Sequence, residues 1–199
     1  MKVRNLLTIT TILLSLSSAS AKEMFSPNIS LIRPWKKDFY DKHPYQPFPK
    51  TVFFKTTRGQ KELSFIATKH KDWKKSQQII ESTILEKKPE ILLIEGIKKS
   101  DGLSPRVWVD KIKQDLNKEG LEGYFAYKIA LEQGIPVVGA ELEGKMSNFT
   151  SYQRDIAVVT YFAELLSRYN RVMVIYGAGH FVQQELVLSD MLGSPITIQ

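Results

Sequence analysis

Short apolar runs alternate with longer helical segments along most of this chain, and this alternation constrains its fold more than any other feature. Residues 63–68, 90–94, 137–140 and 171–176 are the runs that predict parallel strands. The second run is almost continuously apolar, which is typical of a strand buried on both faces of a sheet. Helical segments are predicted at 74–88, from about 106, from about 121, from near 150 and at 181–192. We therefore predict an α/β fold, in which a mostly parallel sheet is flanked by helices.

The chain at either end of the alternating region has a different pattern. Residues 51–57 and 62–68 are β-rich runs around a Gly-containing turn, so we expect an N-terminal β-hairpin. Residues 22–50 contain five prolines, and we expect an irregular lead that packs on the domain through its aromatic side chains. Residues 196–198 are predicted to form an edge strand. The predicted organisation is thus a lead over 22–50 and a single α/β domain over 51–199.

Residues 1–21 have the pattern of an export signal. Lys2 and Arg4 give a positive start, residues 6–16 form a short apolar stretch, and an Ala-x-Ala pattern ends at Ala21. We expect cleavage near Ala21 to leave a periplasmic or secreted protein. The alternative is an uncleaved anchor helix, although a membrane-spanning helix needs about 20 apolar residues. No later stretch is long or apolar enough to predict a transmembrane segment.

The absence of cysteine narrows the chemistry that this chain can perform. It excludes a disulfide framework, thiolate metal ligands and a cysteine nucleophile. Any catalysis or metal binding must then depend on carboxylates, hydroxyls, Lys, Arg and the three histidines, which are His43, His70 and His180.

The net charge of +7 raises the question of a nucleic-acid partner. The positive charge is unevenly distributed, since residues 22–88 carry 15 basic and 7 acidic side chains, whereas residues 89–199 carry 11 and 14. The lysines also lack the regular aromatic interleaving of a groove for single-stranded nucleic acid. We therefore interpret the basic region as a solvated face and expect no nucleic-acid partner.

Four residues whose side chains are of types that act in catalysis stand at the ends of the predicted parallel strands. These residues are His70, Glu95, Glu141 and His180. Ligands bind beyond the carboxyl ends of strands in an open parallel sheet, so we expect the four side chains to share one rim. Two imidazoles and two carboxylates suit a divalent metal such as Mn, Zn, Co or Fe. They equally suit metal-free chemistry, in which a histidine activates water and a carboxylate orients it.

Four further residues are predicted to reach this rim and bind substrate. Gly177 and Gly179 form a tight strand-to-helix turn, where glycine permits close backbone approach. Arg154 lies near a helix start, where its positive charge opposes the helix dipole. Two roles would explain this placement, which are binding a substrate anion and pairing with a neighbour such as Asp155. Glu122 opens another helix, and favourable interaction with the helix dipole is the alternative role for it.

An ordered series of motifs covers residues 63–195. The series consists of a strand before His70, Glu95-Gly96, a Glu-containing helix start at 120–123, Gly-Ile-Pro-Val-Val-Gly-Ala-Glu at 134–141, Arg154-Asp155, and Gly-Ala-Gly-His at 177–180. In this order and spacing the chain resembles the TraB, TIKI, ChaN and erythromycin-esterase-like superfamily. The resemblance implies a periplasmic or secreted protein with a pocket of His, Glu, Glu, Arg and His. Members include divalent-metal-dependent proteases, esterases of macrolide lactones and haem-binding proteins, so the resemblance does not choose the reaction.

The leading hypothesis is an exported hydrolase, either a protease or an esterase, that acts on a small molecule or peptide. His70, Glu95 and His180 are the predicted metal ligands if a metal is used, and Glu141 completes the predicted catalytic set. The alternative hypothesis is a ChaN-like protein that binds haem or another metal complex without turnover. A third hypothesis is an exported interaction protein whose basic lead meets acidic lipid or a host partner. The sequence leaves oligomeric state open.

Overall fold

The structure, a computed structural model, describes residues 25–56, 60–98, 122–142 and 148–198. The helices in these ranges are α1 (Lys37–Asp41), α2 (Trp73–Lys87), α3 (Glu122–Glu132), α4 (Ser151–Arg168) and α5 (Ala178–Leu192). The strands are β1 (Lys50–Lys55), β2 (Glu62–Thr68), β3 (Ile91–Lys98), β4 (Val137–Glu141), β5 (Arg171–Gly177) and β6 (Thr197–Ile198). None of the helices in these ranges is sufficiently long and apolar to cross a membrane. The predicted signal peptide and the predicted helix from about residue 106 lie outside the described residues.

The six strands form one mixed sheet in the order β4-β3-β5-β2-β1-β6. Strands β4, β3, β5 and β2 run parallel to one another. Strand β1 pairs antiparallel with β2, and β6 pairs antiparallel with β1 at the edge of the sheet. The predicted α/β class, the mostly parallel sheet and the edge strand are therefore confirmed. Because β2, β5, β3 and β4 are parallel neighbours, their carboxyl ends lie side by side at one rim.

Alternating side chains of the strands build a separate apolar core on each face of the sheet. In β2, Phe65 belongs to the core that α4 and α5 cover, whereas Ile66 belongs to the core that α2 and α3 cover. In β5, Val174 and Ile175 divide between the two cores in the same way. Both faces are covered by helices, and this explains why the parallel strands are nearly continuously apolar.

The described part of the lead packs on the face of the sheet that carries α5. Ile32 and Phe48 are buried in that core, and the Phe48 ring lies against Phe181 with centroids 6.2 Å apart. His43 is also buried, and its Nε2 lies 3.1 Å from Glu185 Oε2. The lead is less irregular than expected, because it contains α1 and a 3-10 turn.

Two element boundaries differ from the sequence predictions, and both differences move site residues. Strand β3 continues to Lys98, and its pairing with β4 shifts register around Gly96. Gly96 has a φ of +82°, a conformation that glycine adopts without a steric penalty. Helix α5 begins at Ala178, directly after β5 and earlier than predicted. Glu95 therefore lies within a strand, and His180 lies in the first turn of a helix.

Candidate active site

The predicted site residues stand at the rim formed by the carboxyl ends of the parallel strands. His70 lies in the 3-10 turn after β2, Glu95 is near the end of β3, Glu141 ends β4, and His180 follows β5. Since β5 lies between β2 and β3 in the sheet, the two histidines follow neighbouring strands. Arg154 joins them from the start of α4.

A capping box fixes the start of α4, close to residue 150, where the sequence predicts that a helix begins. The Thr150 side chain accepts a hydrogen bond from the Gln153 backbone N–H, and the Gln153 side chain accepts one from the Thr150 N–H. Arg154 and Asp155 follow directly in the chain. Consecutive residues of a helix point about 100° apart, so these two side chains reach different partners.

Arg154 forms a charged cluster with two glutamates. Its Nη2 donates to Glu141 Oε1 at 2.8 Å and to Glu95 Oε1 at 3.3 Å, and its Nε donates to Glu141 Oε2 at 3.2 Å. The Arg154 side chain is only 13% exposed. A guanidinium is well suited to bridge two carboxylates in such a setting, because its N–H groups form a rigid fork. The partners of Arg154 are therefore these glutamates, and the alternative pairing with Asp155 is wrong.

Tyr176 completes this cluster, and the sequence did not predict it. Its hydroxyl accepts a hydrogen bond from Arg154 Nη2 at 3.3 Å. Burial, assisted by the charges of Glu95 and Glu141, raises the pKa of Tyr176 far above its usual value, so the phenol keeps its proton. Burial acts to lower the pKa of Arg154, but the carboxylates of Glu141 and Glu95 raise it, so the guanidinium stays charged.

His180 is held by a buried aspartate. Its Nδ1 donates to Asp155 Oδ1 at 2.8 Å, and Asp155 is fully buried. Asp155 also accepts hydrogen bonds from the Gln184 amide and, at 3.4 Å, from the Ser151 hydroxyl. His180 Nε2 lies 3.9 Å from Glu95 Oε1, which is too far for a hydrogen bond. A carboxylate that orients Nδ1 in this way leaves Nε2 for proton transfer.

His70 forms a second histidine–carboxylate pair at this rim. Its Nδ1 lies 3.3 Å from Oε2 of Glu122, the first residue of α3. Glu122 is 2% exposed, and its Oε1 has no hydrogen-bond partner within the described ranges. His70, Glu95, Glu122 and Glu141 all line a cavity of about 180 Å³. The sequence therefore predicted Glu122 correctly as a residue of this rim, and its role toward substrate stays a prediction.

The two glycines of the strand-to-helix turn make close contacts with protein groups. The Gly177 N–H donates to Glu95 Oε2 at 2.6 Å, and a Cβ added at Gly177 would lie 3.2 Å from that oxygen. A Cβ added at Gly179 would lie 3.1 Å from Trp35 Cζ3. Other groups therefore lie close to the backbone at both glycines, as predicted. These groups are the Glu95 carboxylate and the Trp35 indole. Contact of either glycine with substrate stays a prediction.

The side chains of the rim, as arranged, do not form a ligand set for a divalent metal. Among the described residues, no group of three or more His, Asp or Glu side chains is placed to hold a metal ion. The Arg154 guanidinium lies between Glu95 and Glu141 and is the positive group that both carboxylates contact. His180 already uses Nδ1 toward Asp155. The predicted metal dependence stays a prediction, which chelation tests.

Fold and site together define an α/β protein with two histidine–carboxylate pairs and an Arg–Glu cluster at the carboxyl rim of its sheet. No protein-family model, curated protein or solved structure matches the chain in comparisons with each of these. The resemblance to the TraB, TIKI, ChaN and erythromycin-esterase-like superfamily therefore stays a prediction, which depends on the motifs in the sequence.

Glu122 is expected to control the protonation of His70. The hydrogen bond with Glu122 raises the pKa of His70 above its usual value despite partial burial, and the charges of Glu122 and Glu95 add to this. Because the folded-state pKa is raised, the stabilisation is complete below about pH 6.5 and is lost as the pH rises through the folded-state pKa. Glu122→Gln should lower the pKa of His70, as measured by NMR titration of its ring protons.

A control for this titration is Glu132→Gln, at the opposite end of α3, where Glu132 is exposed and 3.8 Å from Lys128. This variant should leave the pKa of His70 unchanged. If Glu122→Gln also leaves the titration of His70 unchanged, the contact between His70 and Glu122 does not exist in solution.

Proposed function

We propose that this protein is an exported hydrolase that cleaves an ester or amide bond with water activated by His180. The observation that carries the proposal is the 2.8 Å hydrogen bond from His180 Nδ1 to the buried Asp155. It fixes the ring and leaves Nε2 at 3.9 Å from Oε1 of Glu95, whose carboxylate lines the cavity. A carboxylate in this position stabilises the imidazolium that forms when histidine takes a proton. The proposed substrate is a small molecule or a peptide.

In the proposed reaction, a water oxygen attacks the carbonyl carbon of the substrate while His180 Nε2 takes one proton from that water. The 3.9 Å between His180 Nε2 and Glu95 Oε1 is compatible with a water that contacts both groups. Glu95 orients the water, since its own position is fixed by the Gly177 N–H and by Arg154. Glu141 is a positioning residue, because it holds the Arg154 guanidinium against Glu95.

His70 is suited to protonate the leaving group. Its side chain is 59% exposed and lines the cavity, and its contact with Glu122 favours the imidazolium. When the carbon–oxygen or carbon–nitrogen bond breaks, His70 gives its proton to the leaving oxygen or nitrogen. The products are a carboxylic acid and an alcohol or amine, so one water is consumed. His180 then loses a proton to solvent and His70 regains one, which restores the starting state.

The proposal is tested with the purified mature chain, residues 22–199, and two chromogenic substrates, 4-nitrophenyl acetate and alanine 4-nitroanilide. Turnover of at least one substrate that persists in EDTA supports water activation by histidine. Turnover that EDTA abolishes and that Mn²⁺, Zn²⁺, Co²⁺ or Fe²⁺ restores would replace this mechanism with a metal-dependent one. Absence of turnover under all these conditions would contradict the proposal. N-terminal sequencing of the exported protein tests the predicted cleavage, because the first residue should be Lys22.

Haem binding without turnover is the second candidate function, and the exposure of His70 favours it. An imidazole that is 59% exposed at the mouth of a cavity is accessible to the iron of an external haem. A Soret shift on addition of haem, abolished in His70→Ala and retained in His43→Gln, would support this function. The same spectrum for wild type and His70→Ala would exclude His70 as the ligand.

A further inference from the structure

The lead places an aromatic side chain directly beside the first turn of α5, the turn that carries His180. The Trp35 indole covers Gly179, and its Cζ3, Cη2 and Cε3 atoms would lie 3.1, 3.5 and 3.7 Å from a Cβ at that position. Gly179 is the residue before His180, in the first turn of α5. Any larger residue at 179 would push the indole away, so the glycine admits Trp35 to this position.

Several contacts fix the segment that carries Trp35 onto α5. The Arg33 N–H donates to the Gln183 carbonyl oxygen at 2.9 Å, and Ile32 is buried in the core. Arg33 Nη1 also lies 3.7 Å from Glu185 Oε2. The backbone on the N-terminal side of Trp35 is therefore held against the helix that carries His180.

The indole nevertheless keeps a large part of its surface open. Trp35 is 49% exposed, although tryptophan is normally among the more buried residues. It borders the face of α5 formed by Gly179 and Gln183, which are four residues apart and so lie on one side of the helix. On this face the Gln183 amide donates a hydrogen bond to the Ser151 hydroxyl at 3.0 Å, and this bond joins α5 to the start of α4. Tyr152, the next residue, is also exposed.

We propose that Trp35 is a specificity-determining residue of this site and that it binds an apolar ring of the substrate. The proposal rests on the hydrolase function proposed above and names the substrate class. Exposed aromatic rings border the starts of α4 and α5, the helix turns that carry Asp155 and His180. An apolar ring that packs on the exposed part of the indole, which Gly179 and the Tyr40 ring leave uncovered, removes that surface from water and adds the attraction between aromatic rings. The preferred substrates are therefore esters or amides with a cyclic apolar group.

The test compares 2-naphthyl acetate with ethyl acetate, in the mature chain with the wild-type sequence, Trp35→Ala, Trp35→Phe and Phe39→Ala. Phe39 is the matched control, because it is an exposed aromatic residue of the lead at 41% and its ring faces the Lys36 ammonium. For Trp35→Ala, we expect the ratio of kcat/KM for the naphthyl ester to that for the ethyl ester to fall about tenfold, through KM. Trp35→Phe should recover most of the ratio, and Phe39→Ala should keep it.

Calorimetric titration with 2-naphthol separates this inference from the hydrolase proposal, since it requires no turnover. The Kd should rise about tenfold in Trp35→Ala and stay unchanged in Phe39→Ala. If neither ester is cleaved but the Kd follows this pattern, the hydrolase proposal loses support and the ring-binding role of Trp35 stands. Equal Kd values for wild type and Trp35→Ala, or no binding to either, would overturn the inference.

Discussion

His180→Ala is expected to lower kcat for ester hydrolysis by about 10²- to 10⁴-fold, the range typical for loss of a general base. No other imidazole is held by Asp155, so nothing in the described site replaces its Nε2. Asp155→Asn should also lower kcat, because an amide stabilises the imidazolium less than a carboxylate does. The measurement is steady-state turnover of 4-nitrophenyl acetate across a range of pH.

His43→Gln is the matched control for this prediction, since His43 also contacts a carboxylate but lies in the lead. It should keep kcat within about twofold of wild type, although the buried contact with Glu185 makes some loss of stability expected. A kcat for His180→Ala that equals the wild-type value would remove His180 from the mechanism.

Arg154→Ala is expected to reduce the free energy of unfolding by about 3–5 kcal/mol, because it leaves buried carboxylates without their cation. Glu141 is 4% exposed, and both of its oxygens accept hydrogen bonds from Arg154. Glu95 would lose a hydrogen bond as well. Denaturation by urea, monitored by circular dichroism, measures this effect.

Two further variants show whether the loss comes from the unpaired charges. Arg168→Ala removes an exposed arginine from the other end of α4 and should change the free energy of unfolding by no more than about 0.5 kcal/mol. Adding Glu141→Gln to Arg154→Ala should recover part of the loss, because the uncompensated charge of Glu141 is removed. A loss below about 1 kcal/mol in Arg154→Ala would mean that water reaches these carboxylates.

The sequence was a good guide to the site where a residue's place in the chain determines its place in the fold. His70, Glu95, Glu141 and His180 follow or end parallel strands, and such strands present their carboxyl ends at one rim. The sequence was a poor guide where a partner is chosen across the molecule. The sequence indicates Asp155 only as a neighbour of Arg154, yet Asp155 holds His180. Tyr176 has the pattern of an ordinary core residue.

The sequence by itself determined the α/β class, the parallel sheet and the rim at which histidines and carboxylates gather, because hydrophobic periodicity is local and strand direction follows from the crossover helices. Only the tertiary structure decided the pairings within that rim: Arg154 with Glu141 and Glu95, His180 with Asp155, and His70 with Glu122. It also decided that Trp35 covers Gly179. The physical reason is that such contacts depend on distances of 3 to 4 Å between residues far apart in the chain, which helix packing sets and local sequence patterns do not encode.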